Sequence, residues 1–303
     1  MSRATPLPGP AVAFAGEHGA FAEDAALAAF PGAIPLPVTD FAEVFQRVAE
    51  GGGGGPGGVP AADRHVPPVV AGVVPIENVV NGTVREVYDL LLEHDLVIAA
   101  EVVVPVRLCL AALPGERLET IERVYSHIQA LGQAEPFLRS RQWTLLTTYN
   151  TAGSGKLIAE RHERGAAAVL SPRAAQLFGL DVLASDIQAI VDNRTRFLVI
   201  AQPASAAQAS PPVAASAIRT TLVLAVRNEP GSLVRCLAVF AEAGINMSKL
   251  ESRPSRERAW EYVFWIDLDA DSADPLTAAA LARLDGLAGM VRVLGSYPRA
   301  TGG

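Results

Sequence analysis

Two periodicities organise the chain. Continuous apolar runs such as Ala11–Ala15 and Val69–Val74 predict strands buried on both faces. Apolar residues three and four apart predict helices, and Phe41, Val44, Phe45 and Val48 share one face of a helix over Asp40–Glu50. Further strands are expected at Leu96–Val106, Arg107–Ala112, Thr144–Thr148, Ala166–Leu170 and Leu198–Ala201. Between them helices are expected at Ala22–Phe30, from Gly82-Thr83 through Leu92, after Ser154 through Arg164, and at Pro172–Phe178. Strand–helix alternation of this kind predicts a parallel α/β fold. A different order follows near the C-terminus. Strands at Thr220–Val226, Asn246–Glu251, Trp260–Leu268 and Val291–Tyr297 surround helices at Gly231–Ala243 and Pro275–Leu287. That βαββαβ order predicts a ferredoxin-like domain, with Gly244 closing its first helix.

Two stretches interrupt the pattern. Gly51–Gly55 with Pro56, Gly57 and Gly58 has nothing to pack and predicts a flexible loop. No Lys-Ser/Thr follows it, so it is not a phosphate-binding loop. The Ala-, Ser-, Gln- and Pro-rich segment 203–217 predicts a linker. The domains expected are therefore 11–202, a linker over 203–217, and 218–299.

Composition narrows the function classes. Half of the 303 residues are hydrophobic, which describes a globular chain with proper cores. A formal charge of −7 and the lack of any Lys/Arg run argue against a nucleic-acid surface. Cys109 and Cys236 lie in separate apolar runs and are expected as buried, reduced thiols. No Cys/His cluster with ligand spacing is present, so no metal is expected. Glu101 and Arg107 interrupt the longest apolar stretch, and Ala11–Ala15 is too short for a signal peptide. A cytoplasmic protein with no membrane partner is expected.

The stretch Asn193-Arg194-Thr195-Arg196-Phe197, just ahead of the apolar Leu198–Ala201, offers a hydroxyl, guanidinium groups and a ring at a strand edge. Arginine forks onto carboxylates, and a neighbouring threonine hands over a further hydrogen bond. An Asx turn with a surface arginine is the plain alternative. Pro75-Ile76-Glu77-Asn78 closes the apolar run 69–74, at the carboxyl end of a strand where ligands of open α/β sheets bind. Asn78 serves equally as a turn cap. Ser126-His127-Ile128-Gln129-Ala130-Leu131-Gly132-Gln133 places two reactive side chains side by side. Neighbours on a strand point to opposite faces, so a direct relay between them is not expected. Ser126 is expected to cap the helix near Gln129, and His127 is either structural or catalytic. Asn150-Thr151-Ala152-Gly153-Ser154 suits carboxylate binding or plain capping. The turn Gly16–Phe21 feeds a helix start, a weak anion-binding signal.

These motifs, in this order, resemble the prephenate dehydratase family with a C-terminal ACT regulatory domain, from about Val12 to Tyr297. The resemblance implies a two-lobed, periplasmic-binding-protein-like catalytic domain and a ferredoxin-like ACT domain. It implies prephenate as substrate, converted to phenylpyruvate, carbon dioxide and water, with no cofactor. Thr195 is the expected catalytic donor to the departing ring hydroxyl. Arg196 would pair with a carboxylate, Phe197 would wall the ring, and Asn78, Ser126, Thr151 and Asn193 would supply further contacts. Glu77 would be a general acid if burial raised its pKa, ranked below Thr195. The resemblance also implies feedback by L-phenylalanine. Gly231-Ser232-Leu233, Asn246 and Glu251-Ser252-Arg253-Pro254 would bind it, at the interface of a homodimer or homotetramer. Ala20, Val79, Ile128 and Ser232 depart from the family's usual residues. Arogenate dehydratase, or a non-catalytic two-lobed sensor of anions or amino acids, are the rival expectations.

Overall fold

The computed structural model describes residues 9–51, 68–207, 209, 217–254 and 262–300. The glycine-rich 52–58, most of the expected linker (208 and 210–216) and Trp260 lie outside the described residues. The described chain contains a mixed α/β body and a ferredoxin-like module.

The first lobe runs β1 (Ala11–Ala15), α1 (Phe21–Ala29), β2 (Ile34–Val38), α2 (Phe41–Glu50), β3 (Val69–Asn78), β4 (Gly82–Thr83), α3 (Arg85–Glu93) and β5 (Val97–Pro105). The second runs β6 (Cys109–Ala112), β7 (Arg123–Ser126), α4 (Ile128–Gln133), α5 (Glu135–Arg139), β8 (Thr144–Thr147), α6 (Thr151–Arg161), β9 (Ala166–Leu170), α7 (Pro172–Leu177) and β10 (Asp181–Ala184). The chain then returns through β11 (Arg194–Ala201) into the first sheet, whose order is β2-β1-β3-β11-β5. β1 is parallel to both β2 and β3, as buried strands joined by helices should be. The second sheet, β10-β6-β9-β7-β8, departs from the expected all-parallel pattern. β6 is antiparallel to both its neighbours, while β7 is parallel to β8 and β9.

Period-2 alternation explains the core of the second lobe. Leu108, Leu110 and Ala112 pack on one side of their sheet with Val124 and Leu138. Cys109, Ala111 and Leu113 pack on the other with Ile158 and Leu170. α2 forms where the one-faced pattern predicted it. Asp40 Oδ1 accepts from Glu43 N at 2.8 Å, and Gly51 ends the helix at φ +60°.

The C-terminal module is β12 (Ile218–Ala225), α8 (Ser232–Glu242), β13 (Met247–Pro254), β14 (Tyr262–Leu268), α9 (Pro275–Asp285) and β15 (Met290–Pro298). Its sheet order is β13-β14-β12-β15 with antiparallel pairing. Leu222, Leu224, Phe240, Ile266 and Leu284 form its core. Contacts divide the chain into two compact units, 1–94 with 102–198, and 95–101 with 199–303. β5 and β11 thus each run from one unit into the other. In the second unit Arg219 Nη1 donates to Glu101 Oε2 at 2.6 Å. Both side chains are almost fully buried, and Glu101 Oε1 also accepts from Ala300 N at 2.9 Å.

Candidate active site

β3 ends and β11 begins beside one cavity of about 690 Å³ in the first unit. Thr195 and Phe197 line it. They are two apart on β11, so they share a face. Asn78, at the last position of β3, also lines it, as do Thr151 and Asn150 at the start of α6.

Asn78 is fixed by both ends of its amide. Its Oδ1 accepts from Val80 N at 3.0 Å and Asn81 N at 2.9 Å. Its Nδ2 then reaches Thr195 Oγ1 at 2.9 Å and Asn193 Oδ1 at 2.8 Å. Asn193 continues the chain by donating to Gln133 Oε1 at 3.0 Å. Thr195 therefore accepts through its oxygen and keeps its own proton for an acceptor in the cavity. A donor already accepting one hydrogen bond gives a stronger second one. Asn193 is buried behind this pair and belongs to the network rather than to the lining.

The remaining expected residues are placed differently. Arg196 points to the other face of β11, where Nη2 lies 3.6 Å from Glu77 Oε2. Neither residue belongs to the cavity wall. Ser126 is the last residue of β7 and fully buried, and its Oγ donates to Val169 O at 2.6 Å. It caps no helix. The cap of α4 is His127, whose Nδ1 accepts from Gln129 N at 3.3 Å. His127 lines the cavity, and burial pushes its pKa down, which favours the neutral ring. With Nδ1 accepting, the neutral ring carries its proton on Nε2. Sequence reasoning also passed over Gln129, Gln133, Asn81, Tyr149 and Arg85, all on the wall. Gln129 and Gln133 sit four apart, at the second and last positions of α4, a spacing that puts both on one face.

The glycine turn expected at Gly16–Phe21 forms another wall. Gly19 has φ +89°, and a Cβ there would stand 2.8 Å from Ala174 Cβ. Only glycine tolerates both conditions. Buried Glu23 holds the turn. Its carboxylate accepts from Gly19 N, bonds His18 Nδ1 and pairs with Arg173 Nη1, each at 2.7 Å. Burial raises the Glu23 pKa, but the Gly19 bond, then the His18 and Arg173 bonds and the Arg173 charge, outweigh it and leave it lowered. A carboxyl whose folded pKa lies below its unfolded one stabilises the fold above the unfolded pKa, and that stability is lost as pH falls through the folded one. Urea denaturation from pH 7 downwards is therefore expected to show stability falling below the ordinary glutamate range. The fall should be shallower in Glu23→Gln; equal slopes for the two proteins would exclude this role.

In the C-terminal module, Gly231 (φ +76°) precedes α8, which opens with Ser232 and Leu233. Glu251, Ser252, Arg253 and Pro254 lie within β13, the end strand of the sheet, rather than following it. Asn246 Nδ2 donates to Asp269 Oδ2 at 2.7 Å. No helix among the described residues is long and apolar enough to cross a membrane.

The described chain thus combines a two-lobed α/β body, whose cavity is walled by apolar and polar side chains, with a ferredoxin-like module. The prephenate dehydratase family model matches residues 12–205 and the ACT domain model residues 220–286, so the chain belongs to the prephenate dehydratase family and is a dehydratase, a lyase. It is 38% identical over 296 residues to arogenate dehydratase/prephenate dehydratase 2 of Arabidopsis thaliana, covering 95% of this chain and 72% of that protein. The solved structure of a prephenate dehydratase in complex with L-Phe from Arthrobacter aurescens superposes with a TM-score of 0.79 and 32% identity. It covers 96% of this chain and 90% of that one. A structure titled GqqA, a novel type of quorum quenching acylase, is similar at a TM-score of 0.80 and 28% identity, covering 96% of this chain and 98% of that one.

Proposed function

We propose that the cavity converts prephenate to phenylpyruvate, carbon dioxide and water, with residues 11–202 as catalytic domain, 203–217 as linker and 218–299 as regulatory domain. The Asn78–Thr195 hydrogen bond at the cavity wall carries this reading. As the ring carboxylate leaves as carbon dioxide, its electron pair enters the ring and the ring C–O bond breaks. The departing oxygen gathers negative charge, and the Thr195 proton, which faces no acceptor among the described residues, meets it. The side chain acts as a polarised donor, since a threonine hydroxyl is far too weak an acid to ionise, and the departing hydroxide takes the proton that makes it water from solvent. Phe197 walls the ring, and Thr151 and the Nε2–H of His127 add donors. Aromatisation drives the reaction, so positioning and one placed donor suffice.

Arogenate is the second reading, supported by the name of the Arabidopsis relative. The test is product formation from each substrate: phenylpyruvate from prephenate, phenylalanine from arogenate. A higher kcat/KM on arogenate would overturn the first reading. Inactivity on both would leave a non-catalytic sensor.

In the same reading L-phenylalanine is the effector, bound by Gly231, Ser232, Leu233, Asn246 and the Glu251–Pro254 strand in a cytoplasmic homodimer or homotetramer. The L-Phe complex of the Arthrobacter relative supports this. An effector regulates only if its affinity differs between two states. Phenylalanine is expected to lower activity, and Ser252→Trp to abolish the effect while sparing activity without effector. Undiminished activity at saturating phenylalanine would sink the regulatory half.

A further inference from the structure

The substrate proposed above is a dianion, and its two carboxylates have different fates. The ring carboxylate gives up its charge as it leaves. The pyruvyl carboxylate keeps its charge from substrate to product. A cation held on the first would stabilise the starting state more than the transition state and would slow the reaction. A cation on the second binds substrate, transition state and product alike.

The family resemblance implied that Arg196 pairs with a carboxylate, but Arg196 lies off the cavity wall against Glu77. Among the described residues that line the cavity, Arg85 alone carries an arginine or lysine charge. His127 is driven towards neutrality by burial. Arg85 is the first residue of α3 and solvent-exposed. A cation in the first turn of a helix opposes the macrodipole. Asp40 and Glu86 also line the wall. An anion entering there is met by one guanidinium fork and not by a generally positive surface. Neutral donors also line it, Asn81, Gln129 and Gln133 among them. Neutral donors suit a carboxylate that must shed its charge.

We infer that Arg85 binds the pyruvyl carboxylate, the one that survives the reaction, and sets the affinity for substrate and product without taking part in bond breaking. The inference rests on the dehydratase reading of the cavity and goes beyond it in assigning one carboxylate to one side chain.

Arg85→Gln and Arg85→Lys test it, in steady-state kinetics and in calorimetric titration with phenylpyruvate. In Arg85→Gln, KM is expected to rise about tenfold or more, with kcat within about threefold. The dissociation constant of phenylpyruvate should rise in step, because the product keeps that carboxylate. Arg85→Lys restores the charge but not the fork, and should fall between the two. An exposed side chain is expected to leave the thermal midpoint unchanged. KM and phenylpyruvate affinity equal to the parent's would overturn the inference, and so would a fall in kcat at unchanged KM. A parent inactive on both prephenate and arogenate, by contrast, would overturn the reading of the cavity and remove the inference with it.

Discussion

Replacing Thr195 with valine is expected to lower kcat by about 10²–10³-fold, the usual loss when one placed donor to a developing oxyanion is removed. KM should stay within about threefold. Valine keeps the branched shape, so packing against β3 and the position of Phe197 are preserved. The variant loses one hydroxyl, which accepts from Asn78 Nδ2 at 2.9 Å on the cavity wall. The ground-state ring hydroxyl finds water or a neighbouring amide nearly as good a partner. The charged, departing oxygen does not, so the loss falls on the transition state. Asn78 retains Asn193 Oδ1 and Arg194 O as acceptors, so the amide network is not left unsatisfied. A parallel fall in kcat and in substrate affinity would instead place Thr195 in binding.

Arg219→Met is expected to have the largest effect on stability. It leaves Glu101 as a buried carboxylate without its cation, and breaking one side of a buried pair costs about 3–5 kcal/mol. For a unit of this size that corresponds to a thermal midpoint lower by roughly 12–20 °C, at about 4 °C per kcal/mol. Glu101 keeps the Ala300 N–H, which tempers the loss. The double variant Glu101→Leu/Arg219→Met should recover most of it, because an apolar pair of similar volume often replaces a buried ion pair without penalty. Arg219 Nε is buried without an acceptor among the described residues, so the native pair is itself imperfectly satisfied. A midpoint unchanged in the single variant would show that the second unit does not depend on the pair.

Much of the architecture was legible because hydrophobic period tracks secondary structure. α2 and the continuous run of β3 were visible on that ground. β2 was not: in Ile34-Pro35-Leu36-Pro37-Val38 two prolines conceal the strand. They are tolerated because β2 is the end strand, bonded to β1 alone in the sheet order. The placement of Thr195 and Phe197 on one face was legible, and so in principle was that of Arg196 off the cavity wall. The rule that set Ser126 and His127 on opposite faces also sends Arg196 away from Thr195. Ser126 and His127 exchanged roles because a strand's last residue and a helix's cap differ by one position, and only the structure decides which is which. The link from Gln133 through Asn193 and Asn78 to Thr195 joins three distant parts of the chain. No local pattern encodes it.

The division of β5 and β11 between the two units has a consequence for modular exchange. A regulatory module transplanted from a relative at the 203–217 boundary would arrive without the residues it packs on. Gly295 lies so close to Ile98 that a Cβ there would fall 2.2 Å from the Ile98 carbonyl oxygen, and Arg219 would meet whatever side chain the host carries at 101. A working chimera therefore has to carry segment 95–101 across with the module. Seven residues of the host, five of them in β5, must match a sequence that begins more than a hundred positions later. The seam between the two units runs through the strands and not through the linker.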